Sequence, residues 1–146
     1  MTMKSDFTIG VATWTNNRRE LRYVREQVFI LEQHVPEELE WDGLDTHAVH
    51  LLARDKAGNP IGTVRMLGDG HVGRMAVLAP WRERGVGSAL LKTIIATANS
   101  VGMERIFLDA QIQAIGFYEQ FGFVAEGDEF MDAGIPHRHM TLTLHG

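Results

Sequence analysis

The chain predicts a mixed α/β fold: a mostly antiparallel sheet with one parallel strand–helix–strand crossover, flanked by helices. Three observations predict it. Short strand-like runs at Ala48–Arg54, Ile61–Met66 and Val72–Leu78 are separated by the turn sequences KAGNP and GDG, the pattern of antiparallel hairpins. A helical apolar period runs through Arg18–Gln33 ahead of them. After them, an apolar run passes through a Gly-rich turn into a helix and on to another strand, which is a crossover.

Taken in order, Asp6–Ala12 predicts a first strand. Asn17 with Glu20 forms a capping-box pattern, so a helix is expected from Arg18 to about Gln33, with Pro36 forcing its end and Leu21, Val24, Val28 and Leu31 as its apolar stripe. Pro36–Asp45 predicts a loop. The three hairpin strands follow, then a helix from about Gly85 to Ser100 and a short strand at Arg105–Asp109. Ile115–Gln120 predicts a short helix and Phe123–Glu126 a strand. Met140–Leu144 closes the chain, with Ile135–Arg138 leading into it.

Composition bounds the function. A chain of 146 residues predicts one domain, 1–146, with enough length for a real core. A net charge of −5 without a basic stripe argues against a nucleic-acid partner. Cysteine is absent, which excludes disulfides, thiolate metal sites and a thiol nucleophile. No apolar run reads as a signal peptide or membrane span, so the expectation is a cytoplasmic protein with no membrane partner.

The densest signal is Met75–Leu91, MAVLAPWRERGVGSALL. A strand that enters a Gly-rich turn and then a helix presents several free backbone N–H groups, backed by the positive end of the helix dipole. That is a receptor for a phosphate or diphosphate. It is not a P-loop, because Gly85–Lys92 lacks the spacing, and not a dinucleotide fingerprint, because position 90 is Leu90.

Val77–Pro80 followed by RERGVGSAL resembles the acetyl-CoA signature of the GNAT N-acyltransferases, and AIGFYEQFGF (Ala114–Phe123) resembles their second signature. Arg25–Asp45 and Gly134–His137 are similar to the ElaA-like and YjcF-like branch, so the resemblance covers roughly Arg18 to Leu142. It implies the GNAT fold and acetyl transfer from acetyl-CoA, as cosubstrate, to a primary amine on a small molecule or peptide.

The resemblance also implies where the parts lie. The diphosphate would cross Arg82–Ser88, held by backbone N–H groups of Arg84, Gly85, Val86, Gly87 and Ser88, with charge from Arg82 and Arg84. The pantetheine arm would run along Met75, Ala76 and Val77, with the N–H near Val77 facing the thioester oxygen. Tyr118 takes the position of the acid that protonates the departing thiolate. A buried tyrosine in an aromatic cluster also packs and hydrogen-bonds without any part in chemistry. No single residue stands out as the base.

On the acceptor side, Arg18, Arg25, Phe29 and Glu32 share one edge of the helix stripe, and Arg25 and Glu32 are expected to line a polar cleft. The run Glu26–Asp45 carries seven acids and no Lys or Arg, which would draw a cationic amine. Arg65 and Arg74 lie in central strands and must be paired or face the cleft. His137 is an acceptor contact by its place in the family's fold. His137 and His139 alternate without an evident third ligand, so no metal is expected.

Two other readings stay open. Arg25-x-x-x-Phe29 with Glu40-x-Asp42-x-x-Asp45 also resembles acyl-homoserine lactone synthases. The domain could equally bind acyl-CoA as a sensor without turnover. A homodimer is common in the superfamily, and nothing in the sequence compels one.

Overall fold

The computed structural model describes residues 6–144. Strand β1 (Phe7–Ala12) pairs antiparallel with β2 (Val49–Asp55), β2 with β3 (Pro60–Met66), and β3 with β4 (Val72–Val77). A second antiparallel sheet has the order β5 (Arg105–Gln111), β7 (Ile135–Thr143), β6 (Val124–Asp132). The expected single mixed sheet is therefore two sheets. They meet where β4 begins beside β5, in one parallel bridge, His71 to Phe107. The Phe107 N–H donates to the Gly70 carbonyl at 3.0 Å there.

Helix α1 (Trp14–Arg25) covers one face of the first sheet, with Leu21 against Ala12 and Leu52, and Val24 against Ala76. Its cap differs from the expected one. The Thr13 hydroxyl accepts from the Asn16 N–H, while Asn17 leaves helical geometry and its side-chain oxygen takes the Thr13 N–H at 3.1 Å. Asn17 thus bends the first turn rather than starting the helix.

Beyond Arg25 the helix widens into a π-helical segment, Glu26–Glu32. A wider turn rotates later residues off a 3.6-residue stripe. Val28 stays buried, whereas Leu31, expected inside, is 61% exposed. His34, at φ +60°, ends the segment before Pro36 does. The expected loop after it holds a short helix, α2 (Glu37–Glu40), and a 3-10 turn at Asp45–His47.

The crossover helix α3 (Val86–Ser100) packs on the first sheet and buries Val86, Leu90, Leu91, Ile94 and Ala98 in a core to which both sheets contribute. It lies close on β3 because residue 62 is glycine; a Cβ there would stand 3.0 Å from Val86 Cγ1 and 3.2 Å from Leu90 Cδ1. Helix α4 (Ile115–Glu119) follows β5. β6 and β7 are longer than expected because Ala133 and Gly134, both at positive φ, close them as a tight hairpin. No helix among the described residues is long and apolar enough to cross a membrane.

Candidate functional site

β4 carries the distortion that opens the site. Its register with β3 slips between Gly73 and Ala76, and Arg74 sits at φ +50°. Such a bulge adds twist and frees backbone groups. Two adjoining cavities, about 470 and 580 Å³, lie against this part of β4 and share Gln33, Met75, Ala114 and Tyr118 as walls.

The larger cavity is formed by Met75, Ala76 and Val77, by Arg82, and by Gly85, Val86, Gly87 and Ser88, with Phe117 opposite. These expected residues therefore come together. Leu78 donates its N–H to Ile61, so the alternation of an antiparallel ladder turns the Val77 N–H away from β3. The Val77 carbonyl accepts from Arg82 Nε at 2.9 Å. Gly85, at φ +87°, opens α3, and no side chain caps the helix; the first intrahelical bond there runs from Ala89 to Gly85. The N–H groups of Val86, Gly87 and Ser88 are thus the helix's uncommitted donors.

Arg82 also makes a bidentate pair with Glu32, both contacts at 2.6 Å. The hydrogen bonds hold Glu32 below its ordinary pKa and Arg82 above. Glu32 therefore lies on this cavity's wall, not on the acceptor side where it was expected. The Arg84 side chain leaves the turn: its guanidinium stacks 4.2 Å over the Trp81 ring and reaches Asp6 at 3.5 Å. Only its backbone remains at the phosphate turn.

The smaller cavity holds His137, as expected, together with Phe29, Arg74, His71 and Asp109. Arg25 and Arg65 line neither cavity. Arg25 is 1% exposed and donates to Glu40 and Asp45, each at 2.7 Å, beneath the Trp14 and Trp41 rings. Arg65 pairs with Asp42 and Asp45, and Arg74 with Glu40 and Asp42. Three guanidiniums thus neutralise the three acids at 40, 42 and 45. With Glu32 paired to Arg82, the acids of the run without such a pair among the described residues are Glu26, Glu37 and Glu38.

Burial pushes the Glu40 carboxyl up, against the pull of Arg74 and Arg25. For Asp42, partial burial is outweighed by the Arg65 hydrogen bonds, which with the Leu44 N–H and Arg74 bring it down to about 2.

Tyr118 forms the partition between the cavities. Its ring packs on Phe117 and Phe123, and its hydroxyl contacts Met75 Sδ at 3.8 Å. Burial raises the phenol to about 12, so it carries its proton at any neutral pH. Sequence reasoning missed His71, Asp109 and the Gln111–Gln33 hydrogen bond of 2.9 Å that joins β5 to the end of the π segment. The period-2 rule held the signal for Asp109 and Gln111. They alternate with buried Leu108 and Ala110 and so share the non-core face of β5.

A family model described as an acetyltransferase (GNAT) domain matches residues 16–144. The uncharacterized N-acetyltransferase YjcF of Bacillus subtilis is 38% identical over 136 residues, covering 88% of this chain and 96% of that protein. Among solved structures, Escherichia coli ElaA superposes with a TM-score of 0.82 at 24% identity, over 92% of this chain and 98% of that one. The CoA-dependent acyl-homoserine lactone synthase BjaI superposes at 0.78 with 16% identity, over 95% of this chain and 84% of its own, a likeness of fold alone. The family model over residues 16–144 and the 38% identity with YjcF show that the chain is a member of the GNAT acetyltransferase family.

Proposed function

We propose that this protein transfers an acetyl group from acetyl-CoA to a primary amine by direct attack on the thioester. The observation that carries the reading is Tyr118, whose protonated phenol stands between a cavity with a phosphate-type turn and a second cavity fit for an acceptor. The donor fits the first cavity on structural grounds. A Cβ at position 87 would meet Phe117 only at 3.6 Å and Val77 at 3.9 Å, so the protein's own packing does not demand glycine there. A close ligand does.

The residues divide the work. The N–H groups of Val86, Gly87 and Ser88 bind the diphosphate, while Arg82, its charge paired with Glu32, braces the Val77 carbonyl. Backbone groups of Met75–Val77 align the extended pantetheine arm beside β4. The Val77 N–H stabilises charge that builds on the thioester oxygen. The amine forms the C–N bond, the C–S bond breaks with its electrons on sulfur, and the Tyr118 hydroxyl donates to that sulfur. His137, in the second cavity, contacts the acceptor.

The lactone-synthase pattern has a structural use instead: Arg25, Glu40 and Asp45 are buried against one another. The deciding assay is thiol release with a chromogenic thiol reagent across a panel of primary amines; the protein has no cysteine to add background. Amine-dependent release that falls at least ~100-fold in kcat in Tyr118→Phe, with acetyl-CoA affinity kept, is expected. Tight CoA binding without release over the whole panel would make the domain a sensor.

A further inference from the structure

We propose that His71, set against Asp109, is the proton acceptor that converts the acceptor's ammonium into the attacking amine; this rests on the acyl-transfer reading above. His71 and Asp109 line the same cavity as Tyr118. They enter it from opposite sides of the seam, His71 from the start of β4 and Asp109 from β5.

The imidazole is held in place. Its ring lies flat on Phe107, centroids 4.9 Å apart and 16° from parallel. Its backbone N–H donates to Asp69, and its residue forms the parallel bridge between the sheets. Asp109 serves two imidazoles. Its Oδ1 receives His139 Nδ1 at 2.9 Å, directly across the β5–β7 ladder, and its Oδ2 stands 3.9 Å from His71 Nε2. The carboxylate is thereby fixed as a counter-charge for His71 once it takes a proton.

The other ionisable groups on the cavity wall are committed or poorly placed. Glu40 and Asp42 are bound to guanidiniums, and Arg74 is a cation. Asp132 lies at the exposed end of the β6–β7 hairpin. His137 rests its Nδ1 on the Ile135 carbonyl at 2.6 Å and stacks on Phe130, and no carboxylate among the described residues lies within ion-pair distance of it. The charged and titratable groups around His71 are Asp109 from β5, whose carboxylate also holds His139 from β7, Asp69 from its own turn, and Arg74 of β4, which lines the same cavity.

The proton count closes. One ammonium proton passes to the free ring nitrogen of His71 and then to solvent. The nitrogen lone pair forms the C–N bond and the C–S bond breaks. Tyr118 protonates the sulfur and regains a proton from the new amide nitrogen. One proton is released per turnover.

The test is the pH profile of kcat/KM for the best amine found in the thiol-release panel. In the wild type an acid limb is expected. In His71→Gln that limb is replaced by one set by the amine's own deprotonation at higher pH, and kcat/KM at pH 7 falls at least ~100-fold. Added imidazole restores turnover to His71→Ala. His137→Gln retains the limb. Acetyl-CoA affinity, read by thermal shift, stays at the wild-type value in all the His71 variants. Wild-type turnover with the limb intact in His71→Gln overturns this proposal alone. No amine-dependent release by the wild type overturns the acyl-transfer reading and this proposal with it.

Discussion

Position 87 separates binding from folding within one residue. A methyl group there finds ordinary van der Waals room in the protein. It also removes glycine's entropic cost in the first turn of α3, roughly 0.5 to 1 kcal/mol relative to alanine. Gly87→Ala should therefore keep or slightly raise the melting temperature while weakening acetyl-CoA by about tenfold or more, since the methyl stands where the diphosphate approaches the backbone. Melting and binding measured on one sample check both signs. At this scale the sequence was informative wherever backbone chemistry dictates residue type: Gly85, at φ +87°, opens α3 where the Gly-rich turn was expected to start a helix. It was least informative for long charged side chains. Arg84 and Glu32 sit at expected places in the chain, yet each side chain turned to a partner, Asp6 or Arg82, that sequence order does not bring near.

The π segment shows what an element adds. A regular helix would bury Leu31 and leave the end of α1 elsewhere. The wider turns expose Leu31, keep Val28 inside, and deliver Glu32 and Gln33 to the cavities. Leu31→Lys should change stability by less than ~0.5 kcal/mol, whereas the same change at Val28 should prevent folding. Chemical denaturation of the two variants decides it. Periodicity found the helix and its first three buried positions. It missed the fourth because no local rule marks a change from 3.6 residues per turn. Arg25 is a second element-scale case. Its three donors tie α1 to the segment Glu40–Asp45. Arg25→Met leaves Glu40 and Asp45 buried with fewer partners, and a loss of about 3 to 5 kcal/mol is expected in the same measurement.

Over the whole molecule, the charge network sets the response to acid. Asp42 titrates near 2 in the folded protein against an ordinary 3.8. Its contribution is present above pH 4 and is lost as pH falls from there toward 2. The full shift is worth about 2 kcal/mol, and less after screening, since a quarter of the side chain is exposed. Glu40, raised by burial, works in the opposite sense and takes up its proton first in the folded state. Melting temperature should thus drop steeply below pH 4, and Asp42→Asn should flatten that drop. The strands in chain order, the hairpins and the crossover were legible because alternation and turn residues are local, whereas the place of β7 between β5 and β6 was not read. Nor was the division into two sheets. It depends on a left-handed Arg74 and on which residues of β4 and β5 fail to pair.

That failure to pair has a consequence for motion. Beyond the His71–Phe107 bridge, β4 and β5 each present an edge that the other does not fill. The sheet is short of one strand's worth of hydrogen bonds, and a bound pantetheine arm would supply them. Amide protons on the unfilled edges, those of Val77 on β4 and of Asp109 and Gln111 on β5, should then exchange quickly in the free protein. They should slow together when acetyl-CoA is added, while those of β2 and β3 keep their pace. The donor would act as a removable strand, and its departure after each turnover would loosen the seam against which the next acceptor must dock.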